Sequence, residues 1–287
     1  MELQNLFVLG AGTMGNGIAQ VALQSGMIVT LCDSYAPALE KAGDYIERAF
    51  SKLVTKDRMT KDEKAESISR LTITGDIQLA ASADMVIEAV KENIEVKKSV
   101  FSQLSEICRK NTIMCTNTSS ISISALSAAV KKPGRFLGTH FFNPVPSMKL
   151  LELVEGISTT PETIATVKEL GRSWGKVCIV AKDSGGFIAN RIGSPMLNAA
   201  VNVLDSGVGT AEDIDAAMKF GWGFPMGPLE LLDMVGLDVQ VDLMEVLYEE
   251  YGDPYYKPAP LLKRMVAAGH LGRKSGIGFY EYQEKEL

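Results

Sequence analysis

The stretch Leu6-Phe-Val-Leu-Gly-Ala-Gly-Thr-Met-Gly15 leaves this chain few ways to fold. An apolar run that meets glycines at 10, 12 and 15 reads as a buried strand ending in a tight turn. Ile18, Ala19, Ala22 and Leu23 then carry helical spacing out of that turn, and Gly26 supplies a C-cap. A second apolar run, Ile28 to Cys32, ends on Asp33. Strand, glycine turn, helix, strand and acid are the parts of a dinucleotide-binding βαβ unit. Gly10 permits the turn, Gly12 lets backbone approach a pyrophosphate, and Gly15 lets helix lie against strand. Thr13 and Met14 fall in the first helical turn, where unpaired N–H groups and the helix dipole favour phosphate. Asp33 would accept hydrogen bonds from ribose hydroxyls and repel a 2′-phosphate. Its neighbours Ser34 and Tyr35 offer no arginine to hold one, so NAD is expected in preference to NADP.

Beyond that unit the alternation of elements continues. A charged helical pattern runs from Ala38 to Arg70, and short strand candidates follow at Leu71 to Thr74, Met85 to Ala89 and Ile113 to Thr116, with a helix at Ile94 to Ile107 between the last two. Further strands are expected at Arg135 to Thr139, Lys149 to Val154 and Val177 to Val180, with a helix from Pro161 to Trp174. After Lys182-Asp-Ser-Gly-Gly186 the pattern turns helical, with apolar runs Ile188 to Leu204 and Leu229 to Leu247 separated by Gly-Pro turns. The expected fold class is α/β: a Rossmann-type, doubly wound, mostly parallel sheet over residues 1–183, followed by an all-α C-terminal domain over 184–287. That helical domain carries more apolar surface than so short a segment hides alone. It should bury the surplus against a second copy of itself, giving a homodimer, or against the first domain.

Composition narrows the function classes. A net charge of −6 excludes a general affinity for nucleic acid or an anionic membrane, and no uncharged run is long enough to span a bilayer. The four cysteines, Cys32, Cys108, Cys115 and Cys178, lie far apart with no histidine at ligand spacing. They read as reduced core residues of a cytoplasmic protein, and no metal site is expected. Arg48, Lys52, Lys56 and Arg58 form a local basic segment among Glu40, Glu47 and Asp57. Its mixed signs fit a solvated face, while its cations could also grip an anionic substrate tail.

One of only two histidines, His140, follows the apolar Phe136-Leu137 run and precedes Asn143-Pro-Val-Pro146, so it should stand where a strand ends and a rigid turn begins. α/β proteins place their chemistry at such ends. Glu152 lies in Leu-Leu-Glu-Leu-Val, where an unpaired charge would be costly, so it needs a partner. The spacing from His140 to Glu152 matches strand end, turn and next strand, which lets the carboxylate bond one ring nitrogen and leave the other to face a substrate oxygen. Hydride transfer between an alcohol carbon and a nicotinamide needs such a group to move the hydroxyl proton. Asn117-Thr-Ser-Ser120, directly beyond an apolar strand, can reach the same edge or merely cap a helix.

These motifs resemble those of the L-3-hydroxyacyl-CoA dehydrogenase family over essentially the whole chain, with a length closest to its stand-alone bacterial short-chain members. The resemblance is carried by Gly10-Ala-Gly-Thr-Met-Gly15, Val86-Ile-Glu-Ala89, Asn117-Thr-Ser-Ser120, His140-Phe-Phe-Asn-Pro-Val-Pro146, Gly186-Phe-Ile-Ala-Asn-Arg191, Pro225-Met-Gly-Pro-Leu-Glu-Leu231 and Gly272-Arg-Lys-Ser-Gly-Ile-Gly-Phe-Tyr280. It implies interconversion of a (S)-3-hydroxyacyl-CoA, with 3-hydroxybutyryl-CoA the expected substrate, and the 3-ketoacyl-CoA. His140 would be the general acid/base and Glu152 its orienting partner, with Ser119 and Asn190 bonding the reacting oxygen. Glu92, Lys97, Asn117 and Asn143 would lie near the nicotinamide half, while Ser51, Lys52, Lys56 and Arg58 fall in the region that contacts coenzyme A. Gly221-Trp-Gly-Phe224 and Ile277 depart from the family pattern and leave acyl preference open. A dehydrogenase of free hydroxy or sugar acids and a non-catalytic NAD-binding sensor remain alternatives on this fold.

Overall fold

Apolar runs of four to six residues, bounded by turns, form a sheet whose central strands are buried on both faces. The computed structural model describes residues 3–283, so the outermost residues of the two expected domains, 1–2 and 284–287, lie outside the described residues. The strands are β1 (Asn5–Leu9), β2 (Ile28–Cys32), β3 (Leu71–Thr74), β4 (Met85–Glu88), β5 (Ile113–Thr116), β6 (Phe136–Phe141), β7 (Leu150–Glu155) and β8 (Val177–Lys182). The first part of the chain adds helices α1 (Thr13–Gln24), α2 (Ala36–Thr55), α3 (Lys61–Ser69), α4 (Ile94–Ile107), α5 (Ile123–Ser127) and α6 (Pro161–Ser173). The strand order is β3-β2-β1-β4-β5-β6-β7-β8, and every neighbouring pair is parallel except β6 with β7. Because the chain starts at β1, winds out to β3 and returns to β4, the order reverses between β1 and β4. The loops leaving those two strands diverge there and open a crevice at the carboxyl edge. The expected mostly parallel, doubly wound sheet is therefore what forms.

The chain divides into two compact units after Ser184. Near the end of the first, Asp183 accepts hydrogen bonds from Ser122 Oγ (2.8 Å), Ile123 N (2.9 Å) and Ser124 N (2.7 Å), which ties the segment after β8 to the first turn of α5. The first unit's core runs from Val8, Leu31 and Ile87 in the sheet to Ile18 and Leu23 of α1 and Phe50 of α2, all buried.

The second unit consists of α7 (Ala189–Asp205), α8 (Ala211–Ala216), α9 (Pro228–Val235), α10 (Leu237–Tyr251) and α11 (Pro260–Ala267) around Leu197, Val201, Leu229, Leu232, Leu237 and Leu262. The run Leu229 to Leu247 reads as continuous in sequence, but Gly236 at φ +106° breaks it into α9 and α10. Two buried carboxylates staple this small core. Asp215 accepts from Leu229 N (2.8 Å) and Glu230 N (2.9 Å), capping α9, and also from Tyr280 Oη (2.8 Å). Asp233 accepts from Phe279 N, Tyr280 N and Tyr282 Oη, each at 2.9 Å. Burial pushes the Asp233 carboxyl up against the pull of those hydrogen bonds, and burial with the bond to Asp233 pushes Tyr282 up to about 12. The Gly272-to-Tyr280 motif is thus a clasp that closes the unit. A Cβ at Gly278 would stand 2.0 Å from Asp233 Oδ1, so only glycine fits.

All four cysteines are free, but only Cys32 and Cys115 lie in the core; Cys108 and Cys178 are half-buried, a correction to the sequence reading. Cys108 caps the end of α4, and Cys178 lies in β8, the edge strand of the sheet. Burial pushes the Cys32 and Cys108 thiols up to about 11 and raises those of Cys115 and Cys178 as well, so none is a ready nucleophile. Among the described residues no helix is long and apolar enough to cross a membrane, and no group of His, Cys, Asp and Glu could hold a metal ion.

Candidate active site

The glycine turn forms at the sheet's reversal point. Gly10 has φ +108°, and a Cβ there would lie 2.4 Å from the Ala89 carbonyl oxygen at the end of β4. Gly15 is tighter still, since its Cβ would meet Gly10 O at 1.7 Å. At Gly12 the opposite holds: nothing lies within 4 Å of the same position. That open space adjoins the N-terminus of α1, which has no side-chain cap and no acid in its first turn. An anion approaching there would meet unpaired N–H groups and no competing carboxylate in that turn. Asp33 is held beside the turn, accepting from Ala11 N (2.7 Å) and Tyr35 N (2.9 Å) through different oxygens. Each oxygen keeps a second lone pair, enough to receive ribose hydroxyls. The residues present therefore fit a dinucleotide.

His140 and Glu152 come together through the sheet's single antiparallel step. They are directly paired in the β6–β7 register, which puts their side chains on one face at neighbouring positions. Parallel neighbours need a long crossover between them, so two residues twelve apart could not meet that way. Glu152 Oε2 lies 2.7 Å from His140 Nδ1, with Glu152 fully buried and His140 nearly so. An acceptor-only carboxylate at Nδ1 selects the tautomer with its proton there and leaves proton exchange to Nε2. The Phe142 ring, 4.4 Å from the imidazole between centroids, adds a wall on one side. Asn117 links this strand to the next. Its Oδ1 accepts from Phe141 N (3.0 Å), while its own N donates to Glu88 O (2.8 Å). Asn143 is exposed in the turn that follows β6.

A second buried cluster lies under the Asn117–Ser120 loop. Lys97, on α4 and fully buried, donates to Glu88 at 2.7 Å and pairs with Glu92 at 3.1 Å. Glu92 in turn accepts from Thr118 Oγ1 and from Ser119 N (3.0 Å). Lys97, expected near the nicotinamide half, has its ammonium enclosed between Glu88 and Glu92, and Glu92 carries the connection on to the Asn117–Ser120 loop. Ser119 itself is exposed. Glu88 was not singled out from sequence, although a charge inside Val86-Ile-Glu-Ala is the same signal that marked Glu152. It is fully buried and bonded also to Val90 N and Thr116 Oγ1, both at 2.7 Å.

The basic segment spans the end of α2 and the turn after it. Between α2 and α3 is a cleft of about 740 Å³ lined by Ser51, Val54, Lys61, Lys64 and Ile68 among others. Ser51 belongs to that cleft, its hydroxyl accepting from Lys64 Nζ at 2.9 Å. Lys52, Lys56 and Arg58 are exposed outside the lining, and Lys61 and Lys64 are the cations the sequence reading passed over. Asn190 lies in the first turn of α7, in the other compact unit.

A nucleotide-ready crevice at the carboxyl edge of a doubly wound sheet defines a Rossmann-type dinucleotide-binding protein, and a buried His–Glu pair stands on the same edge. Residues 5–184 match the NAD binding domain of 3-hydroxyacyl-CoA dehydrogenase and residues 186–282 match the C-terminal domain of the same enzyme. The chain belongs to the 3-hydroxyacyl-CoA dehydrogenase family, and with it to the NAD-dependent oxidoreductases. It is 45% identical over 279 residues to a 3-hydroxybutyryl-CoA dehydrogenase of Clostridioides difficile, covering 97% of this chain and 99% of that one. A 3-hydroxyadipyl-CoA dehydrogenase of Escherichia coli is 42% identical over 99% of this chain and 60% of its own length. The crystal structure of (S)-3-hydroxybutyryl-CoA dehydrogenase from Ralstonia eutropha superposes with a TM-score of 0.96 at 43% identity, covering 99% of this chain and all of that one.

Proposed function

We propose that the protein interconverts (S)-3-hydroxybutyryl-CoA and acetoacetyl-CoA, with His140 as general acid/base. The observation that carries this reading is the buried 2.7 Å His140–Glu152 contact at the sheet edge. Bound NAD supplies the acceptor for the hydride that leaves C3. Neutral His140 takes the 3-hydroxyl proton on Nε2, while Glu152 holds Nδ1–H and compensates the positive charge that the ring acquires. In the reducing direction the same imidazolium returns the proton to the carbonyl oxygen. Ser119 and Asn190 are assigned to hold that oxygen, Asn143 to shape the pocket, and Glu92, fixed by Lys97, to bound the nicotinamide end with Asn117. Asp33 and the Gly10-to-Gly15 turn take the adenosine ribose and pyrophosphate. The α2–α3 cleft takes the coenzyme A end, using Ser51, Lys61 and Lys64, with Lys52, Lys56 and Arg58 as an outer cationic rim that screens its phosphates. Four unreactive thiols suit a reducing, cytoplasmic setting.

The test is one assay: reduction of acetoacetyl-CoA with NADH, repeated with NADPH and with free acetoacetate. NADH should exceed NADPH by at least about tenfold in kcat/KM, or ~1.4 kcal/mol, and the thioester should exceed the free acid. Faster turnover of the free acid, or NADH that binds yet is oxidised by no β-ketoacyl thioester, would refute the reading.

We also infer a homodimer through the helical unit. Ile192, Val208, Phe220 and Trp222 are 66–86% exposed there, an unusual share of large apolar side chains to leave in water. Sedimentation velocity should give about twice the 31.0 kDa chain mass; a stable monomer at micromolar concentration would overturn it.

A further inference from the structure

Lys176 is a buried cation that the chemistry above does not use. It sits between Gly175 and the start of β8, and only 7% of its surface is exposed. Its Nζ donates to two backbone carbonyls, Val145 O and, at 2.8 Å, Met148 O. Both acceptors belong to the Asn143-to-Lys149 turn that leaves the His140 strand. The same turn is closed on itself by Pro144 O, which accepts from Ser147 N and Met148 N, each at 3.0 Å. It is tied to β8 by Val177 N donating to Lys149 O at 2.8 Å. On its other side, the buried Val145 side chain rests on Gly17 of α1, the helix that starts at the glycine turn. A Cβ on Gly17 would stand 2.8 Å from Val145 Cβ, so the two backbones approach as closely as glycine allows.

We propose that Lys176 is a positioning residue: by clamping Val145 and Met148 it presses the turn after β6 onto α1 and holds Asn143 and the His140 strand end in register with the dinucleotide helix. The assignment rests on the proposed function. Burying an ammonium is costly unless its donors are used, and burial pulls the Lys176 pKa below the ordinary lysine range. An apolar residue of similar length would fill the space but leave the buried Val145 carbonyl and the half-buried Met148 carbonyl without this donor, and the turn would relax to find water. A guanidinium can reach both oxygens. Such relaxation would move the acid/base side of the site, whereas the phosphate-binding turn is held by bonds of its own, Gly10 N to Cys32 O and Ala11 N to Asp33, and would stay in place. Misplacing reacting groups by about 1 Å is enough to cost on the order of a hundredfold in rate.

The experiment compares wild type, Lys176→Met, Lys176→Arg and Gly17→Ala. It measures kcat and KM for acetoacetyl-CoA, the NADH Kd by nicotinamide fluorescence, and Tm. Lys176→Met should lower kcat by about 10- to 100-fold with NADH Kd within about threefold of wild type, and Lys176→Arg should restore most of kcat. Gly17→Ala, which pushes Val145 from the α1 side with the lysine intact, should lower kcat as well, and it decides the matter if Lys176→Met does not fold. The proposal is wrong if Lys176→Met or Gly17→Ala turns over like wild type. It is equally wrong if kcat and NADH binding in Lys176→Met fall together with Tm and Lys176→Arg restores neither. A wild type inactive on acetoacetyl-CoA would instead sink the functional reading on which this one rests.

Discussion

Replacing His140 by glutamine should lower kcat for acetoacetyl-CoA reduction by about two to four orders of magnitude and leave NADH binding nearly unchanged. Glutamine keeps a polar group of similar reach but cannot accept and return a proton near neutrality, so the loss isolates proton transfer. The residues assigned to the pyrophosphate and adenosine ribose sit on the β1 and β2 loops, three or more strands away from β6 in the sheet order, which is why NADH affinity should not follow. Glu152→Gln tests the other half of the pair. An amide oxygen can still accept from Nδ1–H at the observed 2.7 Å, yet it cannot compensate the charge on the protonated ring. It should cost about 10- to 100-fold, the usual scale for a group that orients another. The double variant should be no slower than His140→Gln alone, because an orienting group has nothing left to orient. Near wild-type turnover by His140→Gln, or strictly multiplicative losses in the double variant, would remove the pair from the mechanism.

How much of this was visible beforehand depended on how far apart the partners lie in sequence. Ile113–Thr116 is a strand over the residues expected, because a short apolar run between turn residues has one good solution in a parallel sheet, and so is Leu71–Thr74, whose alternation of Leu and Ile with Thr suits the half-exposed sheet edge. The His140–Glu152 contact was legible for a related reason: an antiparallel turn makes neighbours of residues close in sequence. The helical unit was less transparent. Asp233 receives Phe279 N from 46 residues away, and neither residue advertises the other. Gly236 lies in an apolar run that scans as one helix, and only its positive φ reveals the break. The basic segment is a different case. Lys52, Lys56 and Arg58 stand out in composition, while the cleft beside them is made by α3 folding back so that Lys64 meets Ser51 and Lys61 lines the same space, a juxtaposition that spacing alone does not display. Lys176 is the extreme case, since its acceptors are backbone carbonyls about 30 residues upstream that leave no side-chain pattern at all.

The largest loss of stability should come from Lys97→Met. Lys97 and Glu88 are both fully enclosed and 2.7 Å apart, between α4 and the end of β4. Methionine fills the volume but leaves a buried carboxylate with hydrogen bonds from Val90 N and Thr116 Oγ1 and no countercharge. Breaking such a pair from one side costs about 3–5 kcal/mol, a large part of the roughly 5–15 kcal/mol that holds a domain together. For a unit of this size each kcal/mol is worth about 2–4 °C, so Tm should fall by roughly 6–20 °C. Adding Glu88→Gln to Lys97→Met removes the stranded charge; the amide oxygen can still accept from Val90 N while the amide N–H donates to the Thr116 hydroxyl, whose role reverses, and the change should recover about half of the loss. That recovery separates electrostatics from packing, since a packing defect at Lys97 would be untouched by a change at Glu88. Function should part company with stability in the same pair. With Lys97 gone, Glu92 loses its ion pair and keeps hydrogen bonds from Thr118 Oγ1, Ser119 N and, at 3.5 Å, Ser120 Oγ, so the double variant should regain part of its Tm without regaining wild-type NADH affinity. Thermal unfolding alongside NADH titration reads both. A Lys97→Met protein within about 1 kcal/mol of wild type would mean that the buried charge finds water, and the enclosed ion cluster would lose its structural role.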